Sequence, residues 1–269
     1  MSRAKLYYVP GYAWHLTHRC HNKEYLLEQG CDKDNWMNWV HRAMMKYGLR
    51  ILNYAVTSNH IHLLVFDEGR RKVIPRSMQL CESRTAREYN TRNNRSGAFW
   101  DGNYHATAVE TGAHLWKCLV YIDLNMVRAG VVQHPEDWDY CGYQEICGTR
   151  TRESCLIDLD LLKIMLQTKD SGRLRTVYRN LIDQELNQGE LTRQAKWTES
   201  LAVGDREFVD QIRGRLGIKV IHRQVCVDSG SYVLRESQSN YSYNSSKPRN
   251  FDMDSKNNLK SPNRVFRIS

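Results

Sequence analysis

No stretch of this sequence approaches the roughly 18 consecutive apolar residues that a membrane helix needs, so a membrane-spanning role is not expected. The opening run Met1-Ser2-Arg3-Ala4-Lys5-Leu6-Tyr7-Tyr8 lacks the apolar core and small-residue cleavage site of a secretory signal. Nor is there a C-x-x-C pair among the eight cysteines, and the spacing excludes a zinc knuckle. Spread as Cys20, Cys31, Cys81, Cys118, Cys141, Cys147, Cys155 and Cys226, they read as reduced thiols. Most should be small core residues of a cytoplasmic protein. No internal repeat is visible.

What is present points to a polyanionic partner. Lys and Arg number 39 against 30 Asp and Glu, a formal charge of +9. Each such side chain that neutralises a phosphate also releases a counterion. The apolar share of 41% is ordinary for a packed domain.

The pattern around Trp14, Leu16 and His18 predicts a strand within 7–19. Asp32 or Asp34 is placed to cap a helix that runs to about Tyr47 and stops at Gly48. The β-forming runs 49–57 and 60–66, joined by Ser58-Asn59, predict a hairpin. Helical spacing returns over 75–90, a strand is expected over 99–109, and a strongly apolar helix over 112–129 closes at Gly130. Hairpin-joined strands mixed with helices predict an α+β fold, an antiparallel sheet with flanking helices. Residues 149–236 read as a helical C-terminal extension built on 156–167, 174–187 and 207–216. Residues 237–269, dense in Ser, Asn, Lys and Arg, read as a disordered tail.

His60 and His62 stand at i and i+2 in the second strand of the hairpin. Same-face strand neighbours lie roughly 6.5–7 Å apart, close enough for two imidazoles to converge on one cation. Ile61, Leu63 and Val65 then face a core. A lone His-x-His is equally an ordinary strand pair, so a second element must supply the missing ligand. On the 112–129 helix the apolar stripe leaves one polar row, Lys117, Tyr121, Asn125 and Arg128, sharing a face. Asn125 offers a neutral oxygen one turn from Tyr121. Mixed nitrogen and oxygen donors with room for water suit Mg²⁺ or Mn²⁺. Tyr121 is then a candidate nucleophile toward phosphorus. A free tyrosine titrates at about pH 10, so the cation or Lys117 is expected to help it ionise.

The stretch Ser58-Asn59-His60-Ile61-His62-Leu63-Leu64-Val65 resembles the HUH signature of IS200/IS605-type single-tyrosine (Y1) transposases. Tyr121-Ile122-Asp123-Leu124-Asn125-Met126-Val127-Arg128-Ala129-Gly130 resembles the catalytic helix of their REP-associated tyrosine transposase branch. Phe99-Trp100-Asp101-Gly102-Asn103-Tyr104, His134-Pro135-Glu136-Asp137-Trp138 and Gly230-Ser231-Tyr232-Val233-Leu234-Arg235-Glu236 are similar to further stretches of that branch, so the resemblance spans about 5–236. It implies an HUH, ferredoxin-like catalytic domain over 1–148, with Tyr121 as nucleophile and His60, His62 and Asn125 holding the metal. It also implies single-stranded hairpin DNA as partner, cleavage through a 5′-phosphotyrosine with a free 3′-hydroxyl, and rejoining of strands. Two positions depart from the pattern: Met126 stands where this branch usually has proline, and Ser58 where proline often precedes the Asn-His pair. Methionine leaves the helix more regular around Asn125.

Candidate DNA contacts are Arg128, Lys117, Arg19, Arg84, Arg87 and Asn59. Exposed arginines are commonly just solvated, and Asn in a hairpin turn often serves its own backbone. Trp100 and Tyr104 suit either base stacking or packing, and His15, His18 and His105 receive no assigned role. Two other readings stay open. One is a hairpin-DNA-binding protein that does not cut; the other is a phosphodiesterase that activates water and has no use for Tyr121. Monomer and homodimer are both compatible with the sequence.

Overall fold

A computed structural model of the chain describes residues 8–70, 72–150, 155–188 and 191–236; the tail expected over 237–269 lies outside them. The N-terminal half forms β1 (Ala13–Arg19), α1 (Gly30–Tyr47), β2 (Arg50–Val56), β3 (His60–Phe66), α2 (Val73–Arg92), β4 (His105–Val109), α3 (Ala113–Asp123) and α4 (Asn125–Arg128). It continues with α5 (Tyr143–Cys147), α6 (Leu159–Met165), α7 (Ser171–Asn187), α8 (Lys196–Glu199), β5 (Ala202–Gly204), α9 (Arg206–Leu216), β6 (Arg223–Asp228) and β7 (Ser231–Glu236).

The strands make one sheet in the order β2-β3-β1-β4-β5-β7-β6, antiparallel throughout except for the parallel β4–β5 pair. The α+β expectation holds. The stretch after residue 148 carries the expected helices and, in addition, three strands that extend the same sheet. Among the described residues no helix is long and apolar enough to cross a membrane. All eight cysteines are free thiols, five of them buried.

β1, β2 and β3 are buried almost from end to end, as strands covered on both faces must be. One face meets α2. Leu16 and His18 of β1 sit opposite Leu63 and Ile61 of β3. His18 Nδ1 lies 2.9 Å from Glu82 Oε1 of α2, and its ring stacks on Trp100 at 4.7 Å. Trp100 and Tyr104 are packing residues here: the Trp100 indole donates to the Glu82 carbonyl, and the Tyr104 hydroxyl accepts from Tyr8. The opposite face carries His15, Thr17 and Arg19 beside His60 and His62, with Thr17 directly across from His62 and His105.

α1 stops at Gly48, whose φ of +73° suits glycine and whose N–H reaches the Met44 carbonyl at 2.9 Å. Its start differs from the sequence reading. The helix begins at Gly30, so Asp32 lies within the first turn, paired with Arg92 instead of capping.

The helix expected over 112–129 is two pieces. Leu124 (φ −76°, ψ 6°) separates α3 from α4, so the regularity expected from Met126 does not hold. The Arg128 guanidinium donates to the Tyr121 carbonyl at 2.6 Å, taking the acceptor that a continuous helix would give to the Asn125 amide.

Buried polar staples tie the later chain to this helix. Asp123 accepts from Asn53 Nδ2 at 3.2 Å and from the Tyr178 hydroxyl of α7. Glu145 accepts from the Tyr54 hydroxyl, the amides of Leu156 and Ile157, and the Arg150 guanidinium. A Cβ on Gly142 would fall 1.9 Å from Asn53 Oδ1, so this approach of chain to β2 requires glycine.

Candidate active site

The hairpin sets His60 and His62 on one face of β3, with ring centroids 4.9 Å apart. α3 and α4 lay Tyr121 and Asn125 across them. Asn125 Nδ2 donates to His62 Nε2 at 2.8 Å, and the Tyr121 ring lies 6.0 Å from the His62 ring. These four residues line a cleft of about 420 Å³ that Arg19, Arg128 and Arg193 also border. Arg128 Cζ sits 4.1 Å over the Tyr121 ring, a cation–π contact.

Burial dominates the electrostatics. It lowers His60 to about 4, helped by the nearby Arg19 and Arg128 charges. His62 is held well below the usual histidine range by burial, with His60 and His15 adding to the effect. Burial also lowers His15 to about 3, although the Trp197 carbonyl opposes the shift. Tyr121 is raised by burial, with Arg128 pulling the other way. At neutral pH His60, His62 and the Tyr121 phenol are therefore uncharged beside guanidinium charges. Such a site offers lone pairs to a cation and positive charge to a phosphate.

The structure sorts the candidate DNA contacts. Arg19 and Arg128 line the cleft. Lys117 instead borders a second cavity of about 480 Å³ on the other side of Tyr121, with Trp116 and Lys196. Arg84 and Arg87 are exposed on α2, the helix on the opposite face of the sheet; Arg84 Cζ lies 5.3 Å over the Trp39 ring. Asn59 donates from Nδ2 to the Lys23 carbonyl at 3.2 Å, and its Oδ1 is 2.7 Å from His60 Nδ1.

Three residues without a role in the sequence reading enter the site. His15 Nε2 lies 2.9 Å from His62 Nδ1, and His15 Nδ1 lies 3.0 Å from the Trp197 carbonyl oxygen. Trp197 is fully buried, its ring 6.1 Å from that of Tyr121. Arg193 reaches the cleft from the segment before α8. His15 had a usable signal, since it is in phase with Thr17 and Arg19 along β1. Residues 193 and 197 had none, because only the tertiary fold brings them here.

The family model described as "Transposase IS200 like" matches residues 8–125, a span that holds both histidines, the tyrosine and Asn125. Over that span, less than half of its length, the chain is similar to this family. Among solved structures, the chain is similar to a REP-associated tyrosine transposase bound to a REP hairpin, at 16% identity and a TM-score of 0.47. The match covers 59% of this chain and 94% of that one. It is also similar to a candidate transposase from Deinococcus radiodurans R1, at 17% identity and a TM-score of 0.30, covering 39% of this chain and 82% of that one. No curated protein matches. Among the described residues no three His, Cys, Asp or Glu side chains gather as a metal cluster. The donors that meet in the cleft are two imidazoles and an amide.

Proposed function

We propose that the chain is a divalent-metal-dependent endonuclease and strand transferase for single-stranded hairpin DNA, with Tyr121 as nucleophile. The observation that carries this reading is the meeting of Tyr121 and Asn125 with His60 and His62 in one arginine-lined cleft. His60, His62 and the Asn125 amide would hold Mg²⁺ or Mn²⁺, and their neutral nitrogen and oxygen donors fit either ion. The bound cation supplies charge stabilisation at the scissile phosphate.

Arg128 positions the nucleophile from two sides, through its ring contact and through its bond to the Tyr121 carbonyl. Arg19 and Arg193 offer charge to the DNA backbone. In the reaction the Tyr121 Oη–P bond forms as the P–O3′ bond breaks. The phenol loses its proton and the departing 3′ oxygen gains one, leaving a 5′-phosphotyrosine and a 3′-hydroxyl. Attack by a 3′-hydroxyl on that linkage rejoins strands. Residues 1–148 form the catalytic domain on this reading, with 149–236 as its extension.

The test uses 3′-labelled hairpin oligonucleotides with Mg²⁺ or Mn²⁺, resolved on denaturing protein gels. A DNA-linked protein band that requires metal is expected, and Tyr121→Phe should reduce it by about a thousandfold or more. Cleavage that persists in Tyr121→Phe would transfer the nucleophile's role to water. Tight hairpin binding without any adduct would favour a non-cutting binder.

A further inference from the structure

His60 and His62 are each tethered, on the side away from the site, to a main-chain carbonyl. A carbonyl oxygen can only accept a hydrogen bond, so the direction of every bond in each tether can be followed outward.

For His60 the tether is local. The Lys23 carbonyl takes a hydrogen from Asn59 Nδ2 at 3.2 Å, which fixes the amide and turns Oδ1 toward His60 Nδ1 at 2.7 Å. The Thr57 hydroxyl gives its hydrogen to the His60 carbonyl at 2.9 Å, so it too presents a lone pair to Nδ1, at 2.9 Å. Two acceptors on Nδ1 place the ring hydrogen there.

For His62 the tether crosses the fold. The Trp197 carbonyl lies 3.0 Å from His15 Nδ1, which must donate. His15 is fully buried between that carbonyl and His62, surroundings that disfavour a charged imidazolium, so its Nε2 accepts, 2.9 Å from His62 Nδ1. His62 Nδ1 is therefore the protonated nitrogen, and its Nε2 carries the lone pair. Asn125 completes the chain by offering a donor, Nδ2, to that Nε2 at 2.8 Å. Free neutral imidazole favours hydrogen on Nε2, the form that cannot ligate through that atom, so the tethers reverse the intrinsic preference.

We propose that Asn59 and His15 are positioning residues that lock His60 and His62 as Nδ1–H tautomers, each aiming an Nε2 lone pair into the cleft to hold a divalent cation. The inference rests on the metal-dependent reading above, and it makes residues 194–200 part of the metal site.

The measurement is a long-range ¹⁵N–¹H correlation spectrum of the imidazoles in the full-length, metal-free protein at neutral pH, assigned with single histidine variants. Wild type should show Nδ1 protonated and Nε2 bare in both His60 and His62. His15→Phe should move His62 mainly to the Nε2–H form, leave His60 unchanged, and weaken Mn²⁺ binding, read by electron paramagnetic resonance, about tenfold to a hundredfold. His15→Gln retains a donor toward Trp197 and an acceptor toward His62, and should restore both readouts. Asn59→Leu should shift His60 alone, and by less, because Thr57 remains.

A wild-type spectrum with either histidine mainly Nε2–H overturns the proposal, even if His15→Phe fails to fold. So does a folded His15→Phe that keeps both the tautomer and the Mn²⁺ affinity. Neither readout involves DNA, so correct tautomers in a protein that never links to DNA count against strand transfer and in favour of the tethers.

Discussion

The two wings of the sheet meet the site differently. On one side β1, β2 and β3 are buried nearly throughout; β1 and β3 send Arg19, His60 and His62 into the cleft, with His15 behind His62. On the other side β6 is half exposed, with Val227 at 65%. This wing sends no strand side chain into the cleft. It contributes what precedes it, the 191–200 segment that enters the parallel pairing of β5 with β4 and brings Arg193 and Trp197 to the site. The cleft histidines thus stand on doubly covered strands, and the later wing supplies a buried contact behind them.

Three substitutions sharpen this division, and the largest effect is expected at the joint between the wings. Trp197→Ala removes a fully buried indole packed behind Tyr121, and should cost about 3–5 kcal/mol in denaturant unfolding. A loss below about 1 kcal/mol would mean that the joint is loose. Arg128→Ala should leave stability nearly intact but slow adduct formation about a hundredfold in single-turnover assays, because one preorganised donor and one charge leave the reacting centre. An unchanged rate would remove Arg128 from the site's working groups. On the outer wing, Val227→Thr should change stability by no more than about 0.5 kcal/mol; a larger loss would show that β6 is covered in solution.

Much of the first wing was legible from sequence because its signals are local. The period of two placed His60 and His62 on one side of β3, and the polar row on an apolar helix singled out Tyr121, Asn125 and Arg128. Within the row, Lys117 borders only the second cavity and Asn125 only the cleft, while Tyr121 and Arg128 line both. A tertiary bond from Arg128 accompanies the break at Leu124, and helical periodicity cannot encode it. β5 is only three residues long, too short for alternation to register. His15 looked like any strand histidine until pairing with β3 placed it beside His62. Asn59 read as either a DNA contact or a turn residue serving its own backbone, and both ends of its amide are engaged by Lys23 and His60.

The bond from His15 to the Trp197 carbonyl joins residues 182 apart. At a synthesis rate of roughly 5–20 residues per second, about ten to forty seconds separate their appearance on the ribosome. A nascent chain displays His60, His62 and Tyr121 well before the Trp197 carbonyl that His15 bonds exists. A product truncated before α8 would carry the whole 8–125 segment that matches the family model, with His15 lacking its carbonyl partner.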